Sequence, residues 1–491
     1  MKLRSEQADR AAGVLVGAAS GDALGAGYEF GRPMEDHVPV PMFGGGGPNW
    51  APGEWTDDTS MAIVIARSAR FGADLRSDEV RDEIARRWIR WARTAPDVGV
   101  QTREVFSDAR LDATAAEVAA ASLERFERNG RAAGNGSLKR TAPVALAALE
   151  STDYLREAAV GLSDLTHPDP EAREACFLWS YAIRHAVLHG SFEGLFEAVE
   201  LLPPDRGESW LERLNEAELN PPSYFQQNDL VVQALQAAWS AIVRTPVPVQ
   251  DAAHGSFPAQ HLQRALEAAV RGGNETASVA AIAGGLLGAR WGVSAIPAEW
   301  QRIVHGWPGL RARDLSILSL QIAQASGTDQ WPAIDVVDYR GYGDLTALVP
   351  HPYDPGVLLS GVDSVRDLPR GVDAVVSLCR LGAGELPLGA NHAREHVLVW
   401  LVDSDDPAKN RNLDFVINDA ATAVAQLRAE RRTVLLHGVQ AVSRTPTVAA
   451  LYGARLTGQP IEEALADVSA VLPNANPNPA FRAALQRLQQ R

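Results

Sequence analysis

Asp57 and Asp58 are adjacent carboxylates within GEWTDDTSM (residues 53–61), flanked by Thr56 and Thr59 and followed by the apolar run of residues 61–70. That order predicts a helix N-terminus, where free N–H groups and the helix dipole favour negative charge. Oxygen donors grouped in this way suit a hard divalent cation, Mg²⁺ or Mn²⁺, which takes one or two carboxylates and completes its shell with water and substrate oxygens. A plain helix cap, with Thr56 as N-cap and acidic residues in the first turn, accounts for the same residues without a metal.

Other motifs weigh on that choice. GDALGAGYEF (residues 21–30) carries Asp22 and Glu29 in a glycine-rich exit from a small, apolar segment, and four glycines follow at residues 44–47. Glycine loops joining a lone glutamate to an acidic corner predict a movable flap, although ordinary loops share the composition. GNGSLKRTAP (residues 134–143) reads as a glycine turn running into a helix, with backbone N–H groups, Lys139 and Arg140 available to an anion. In LTHPDP (residues 165–170), His167 taken alone is a loop or capping histidine.

With GGNETASVAAIAGGLLGARWG (residues 272–292), these motifs resemble in order the signatures of the ADP-ribosylglycohydrolase family, over about residues 10–325. The resemblance implies an all-α domain with a binuclear Mg²⁺ or Mn²⁺ site in a cleft that binds ADP-ribose and hydrolyses its bond to an acceptor. It implies Thr56, Asp57 and Asp58 as metal ligands, with Glu275 and Ser278 from the later motif. Glu29 becomes the flexible glutamate near the substrate, catalytic together with Asp57 and Asp58. Gly134, Asn135, Gly136 and Ser137 form the loop near the phosphates or ribose, and His167 a ribose contact. One departure matters: families of this type read GGNDTDTVAAIAG, so Glu275, Ala277 and Ser278 replace Asp, Asp and Thr. Losing the carboxylate at 277 removes a ligand able to bridge two cations, which predicts at most one firmly held ion and slowed hydrolysis, while ADP-ribose binding survives. The implied partners are ADP-ribosylated protein, nucleic acid or a small molecule. A non-hydrolysing ADP-ribose or phosphate reader is the alternative.

The elements that position these residues follow from periodicity. Residues 80–92, 172–189, 229–243 and 261–270 repeat at helical spacing, and alternating β-branched runs are nearly absent before residue 333, so residues 1–328 read as an all-α domain. GTDQWPA (residues 327–333) reads as a linker. Beyond it AIDVVDY, VDAVVSLC, HVLVWLV and TVLLH alternate with helical stretches such as residues 412–430, which predicts a parallel or mixed sheet in an α/β domain over residues 335–491.

That domain centres on HGVQAVSRTPTVAALYGARL (residues 437–456), where a strand, a loop and a helix opening at Arg444 resemble the dual-specificity phosphatase signature. The resemblance implies a phosphate loop of His437, Gly438, Val439, Gln440, Ala441, Val442, Ser443 and Arg444, with Asp403, Asp405 or Asp406 as general acid. Gly438 stands where that family keeps its cysteine, so this loop has no thiolate for covalent chemistry and is expected to be inactive as a phosphatase. Its amides and Arg444 remain able to hold a phosphorylated ligand, and a merely structural strand-to-helix turn is the other reading.

Bulk properties bound the rest. At 491 residues and 46% hydrophobic the chain can bury more than one core, and a net charge of −15 argues against non-specific nucleic-acid or anionic-membrane binding. Cys176 and Cys379 are too few for a disulfide framework, the start MKLRSEQADR lacks a signal-peptide core, and residues 279–289 are too short to span a bilayer, so a cytoplasmic protein without membrane contact is expected. His392 and His396 lack the intervening glutamate of a zincin helix, Cys379 reads as core, and Trp88 and Trp91 read as helix core.

Overall fold

A computed structural model describes residues 2–130, 133–324, 336–382, 384–385 and 395–489. The chain divides into two compact units, Met1–Pro246 with His261–Ile296 and Ile303–Thr328, and Val247–Gln260 with Pro297–Arg302 and Asp329–Arg491. The expected linker at 327–333 lies outside the described residues, as does His392.

The first unit is built on helix α1 (Ser5–Gly25), which is buried along nearly its whole length. Its small residues explain how. A Cβ on Gly13, Gly17 or Gly21 would lie 2.4, 2.4 or 2.0 Å from the backbone oxygen of Gly288, Gly284 or Ala280, and one on Gly25 2.5 Å from Ala277 Cα. Glycine every fourth residue therefore lets α1 meet the Thr276–Trp291 helix backbone to backbone, and the two run antiparallel. This brings the C-terminal end of α1 to the N-terminal end of its neighbour, where Thr276 Oγ1 donates to Gly25 O at 2.8 Å.

Helix α2 (Asp57–Ser68) adds a further end to the same corner. The Asp22 carboxylate, inside α1 rather than in the loop after it, accepts from Thr56 N and Thr59 N at 3.0 Å each and from Thr59 Oγ1 at 2.6 Å. The other periodic stretches are helices at Asp78–Ala92, Pro170–His189, Val231–Arg244 and His261–Arg271, and GNGSLKRTAP forms a 3₁₀ turn, Asn135–Arg140, before the Ala142–Ala147 helix. One small antiparallel pair, His305–Gly306 with Leu310–Arg311, qualifies the all-α expectation.

Near the start of α1, buried Asp9 accepts from Ser294 N at 2.9 Å and Ser294 Oγ at 2.6 Å. Burial raises its pKa to about 6, against the pull of those donors. The folded chain thus holds this proton more tightly than the unfolded chain, and the stabilisation is lost as pH rises through about 6. Asp9→Asn, which cannot ionise, is expected to gain about 2–4 °C in melting temperature relative to wild type between pH 5 and pH 7.5, the shift of ~1 kcal/mol in a domain of this size, read by thermal unfolding at both pH values.

Among the described residues of the second unit, five strands lie in the order Leu348–His351, Asp354–Ser360, Val434–His437, Ala374–Ser377, Glu395–Leu398; the first pair is antiparallel and the rest parallel. Three expected strands are there. The fourth, AIDVVDY, is not: its described residues 336–339 form no strand. Side chains use its backbone groups instead, since Val337 N donates to Glu385 Oε2 at 2.9 Å and Val337 O accepts from Arg366 Nη2 at 2.8 Å, while Tyr339 packs into the core. The hairpin of Leu348–His351 and Asp354–Ser360 takes the sheet edge, where its prolines are tolerated. Among the described residues no helix is long and apolar enough to cross a membrane.

Candidate active site

A cleft of about 600 Å³ opens in the first unit over the meeting helix ends, lined among others by Glu29, Asp57, Lys139, His167, Glu275 and the loop of residues 134–136. Residues far apart in sequence, expected from their motifs, thus share one wall. Thr56 caps α2, its hydroxyl accepting from Asp58 N at 3.4 Å. Asp58, Ser137 and Ser278 are buried and do not line the cleft. Ser137 Oγ accepts from Cys176 Sγ at 3.4 Å, and the Ser278 hydroxyl has no partner among the described residues.

The electrostatics centre on Lys139. Its ammonium lies 3.1 Å from the Asp57 carboxylate and pairs with Asp58 Oδ1. Burial would raise Asp57, but Lys139 and neighbouring hydrogen bonds outweigh it and the group sits below the usual carboxylate range. Asp58 is pushed well above that range by burial, against Lys139 and with repulsion from Asp57 and Asp22. Glu29 rises to about 9, chiefly by burial, with Lys139 opposing and Glu275, Asp57 and Asp22 adding. Glu275 is also raised by burial. One cleft therefore holds an ionised carboxylate and a carboxylic acid that keeps its proton at neutral pH.

The expectation that Lys139 and Arg140 are free for an anion is corrected, because both are engaged inside the protein. Buried Arg140 stacks 4.1 Å over Trp88 and donates to Thr166 Oγ1 at 2.6 Å. Thr166 Oγ1 lies 2.7 Å from His167 Nδ1. A guanidinium can only donate, so the threonine hydroxyl accepts from Arg140 and links it to the His167 ring, the direction of its bond with Nδ1 following the ring's tautomer. Burial holds the ring neutral, its pKa well below the usual value. Nε2 faces the glycine loop, where a Cβ on Gly136 would come within 2.9 Å of it. The loop therefore approaches the ring by its bare backbone.

The donors present do not fit a pair of metal ions. Position 277 offers a methyl group, Lys139 already meets both carboxylates of α2, and among the described residues no three Asp, Glu, His or Cys side chains converge as a metal-holding group.

In the second unit, the loop after Val434–His437 leads into the Arg444–Thr457 helix, with Ala441 at φ +57°. Arg444 Nη1 donates to Leu401 O at 3.2 Å, and its Nε lies 3.7 Å from Asp403 Oδ2. Of the three aspartates, Asp403 is thus the one beside the arginine; Asp406 caps a turn by accepting from Ala408 N at 3.0 Å. The buried Thr445 hydroxyl has no partner among the described residues and lies 3.1 Å from where a Cβ on Gly438 would stand. Buried Cys379, its thiol pushed up to about 12 by burial, lies outside this loop with Sγ 3.9 Å from His437 Nδ1.

Over residues 3–330 the chain matches the ADP-ribosylglycohydrolase family. It belongs to that family. ADP-ribosylarginine hydrolase Tri1 of Pseudomonas putida (strain GB-1) is 30% identical over 361 residues, covering 70% of this chain and 84% of the relative. ADP-ribosyl-[dinitrogen reductase] glycohydrolase of Rhodospirillum rubrum is 26% identical over 305 residues, 60% of this chain and 89% of the relative. A crystal structure of human DUSP28, 26% identical, covers 29% of this chain and 97% of its own, at a TM-score of 0.24.

Of the residues lining this cleft, sequence motifs singled out Glu29, Asp57, the loop of residues 134–136, Lys139, His167 and Glu275, but not Asp97, Arg103 or Asp229; nor did they mark Asp22 as the anchor of α2 or Thr166 as the link between Arg140 and His167. A carboxylate inside an otherwise small and apolar helix was the available signal for Asp22, since such a group is buried only with donors to satisfy it.

Proposed function

We propose that the first unit hydrolyses the bond between ADP-ribose and an arginine side chain of a modified protein. The observation that carries this reading is the convergence, in one cleft, of the Glu29 and Asp57 carboxyls with the glycine loop and His167, with burial raising the Glu29 pKa and Lys139 lowering that of Asp57. Family membership supports the substrate class, and the names of the two relatives above support a protein acceptor.

In this reading the ribose sits under His167 Nε2 and the loop of residues 134–136. Glu29 gives its proton to the departing guanidine nitrogen as the bond to the anomeric carbon breaks. A water oxygen forms the new bond there and its proton passes to Asp57, leaving free ADP-ribose and arginine; solvent then restores both groups. The deciding experiment incubates the full chain with an arginine-ADP-ribosylated protein and measures released ADP-ribose. Release supports hydrolysis, whereas tight ADP-ribose binding with no release supports the reader.

For the second unit we propose non-covalent capture of a phosphorylated ligand by the loop of residues 437–444, supported by the unpartnered Thr445 hydroxyl facing Gly438. The natural chain is expected to leave an aryl phosphate intact. Gly438→Cys is expected to hydrolyse it, because only Thr445 Oγ1, at 3.1 Å, crowds the new Cβ. No gain in a chromogenic assay counts against the phosphate cradle.

A further inference from the structure

The carboxylates at the head of α2 already have a cation, and it belongs to the chain. Lys139 reaches them from the Asn135–Arg140 turn with its side chain only 9% exposed. Asp58 is 1% exposed, and the Lys139 ammonium is the cation that its Oδ1 meets. A divalent ion held directly by this pair needs carboxylate oxygens at about 2.0–2.2 Å, and an ammonium, which has no lone pair to give, competes for those oxygens and repels the ion. Ala277, fully buried with its backbone against Gly25, brings no carboxylate to rebalance the charge of two ions.

We propose that Lys139 takes the place of the divalent cation in this cleft, neutralising Asp57 and Asp58 and donating to a ribose hydroxyl, so that ADP-ribose binds without metal. Lysine has three N–H donors, the carboxylates use two, and Lys139 also lines the cleft. The inference concerns how the proposed hydrolase holds its ligand, and rests on that reading only for the identity of the ligand.

The test uses the full chain stripped with EDTA. In calorimetry, ADP-ribose affinity is expected to change by less than about twofold on adding Mg²⁺, well under the tenfold that 1.4 kcal/mol represents. Manganese titration followed by electron paramagnetic resonance is expected to show no bound ion. Lys139→Met leaves two buried carboxylates without a cation, so a manganese site should appear, about 100-fold tighter than any in wild type, and ADP-ribose binding should become manganese-dependent. Wild type that binds manganese, and releases it in Asp57→Asn, overturns the inference; should Lys139→Met not fold, this wild-type titration decides alone. Manganese held at Asp57 alongside ADP-ribose release would overturn the inference and leave the hydrolase. Metal-free ADP-ribose binding without release on any substrate would do the reverse.

Discussion

Glu29→Gln is expected to lower the rate of ADP-ribose release by about 10²–10⁴-fold, the range for loss of a general acid, with ADP-ribose affinity changed no more than severalfold. Glutamine keeps the size and hydrogen-bonding capacity of the protonated acid that burial enforces, so ligand contacts persist while the transferable proton is gone. The pH dependence gives a separate check. With its pKa raised to about 9, Glu29 stays protonated across the neutral range, so kcat should be flat there and fall as pH rises through about 9. The sign for stability is the same: a carboxyl raised above its ordinary 4.5 stabilises the fold most below that value, and the contribution is lost as pH rises toward 9. In Glu29→Gln the residual rate should lose the alkaline limb. An unchanged kcat, or a loss confined to KM, would remove Glu29 from the chemistry.

What could be read from the sequence followed the range of the interaction involved. Thr56, Asp57 and Asp58 were readable as a helix start because capping is local: the residues and the backbone groups they satisfy lie within a few positions. The long helices were readable because burial repeats at their own period. Lys139 was not, since its partners lie 82 and 81 positions away and only the fold reveals that the GNGSLKRTAP turn faces the head of α2 rather than solvent. The sheet divides in the same way. Val434–His437 and Ala374–Ser377, buried on both faces, appear as continuous apolar runs. The edge hairpin, interrupted by Pro350 and Pro355, lacks that pattern, and AIDVVDY, β-branched but broken by Asp335 and Asp338, gives the Val337 backbone to Glu385 and Arg366.

Gly21→Ala is expected to destabilise the first unit by about 2–3 kcal/mol, although alanine is favoured over glycine inside a helix by about 1 kcal/mol. The added Cβ would stand 2.0 Å from Ala280 O and 2.5 Å from its carbonyl carbon, both backbone atoms of the neighbouring helix, so no side-chain rotation relieves it. Separation of the helices is the only relief, and it also loosens the contacts at Gly13, Gly17 and Gly25. Because the next residue, Asp22, holds the N-terminus of α2 through Thr56 and Thr59, the strain reaches the cleft carboxylates directly. ADP-ribose affinity should therefore fall along with thermal stability, by about 4–12 °C at the usual 2–4 °C per kcal/mol. Gly47→Ala, with nothing within 4 Å of its Cβ, serves as the control and should melt with wild type. If Gly21→Ala melts with it too, backbone-to-backbone packing of α1 does not hold this corner together.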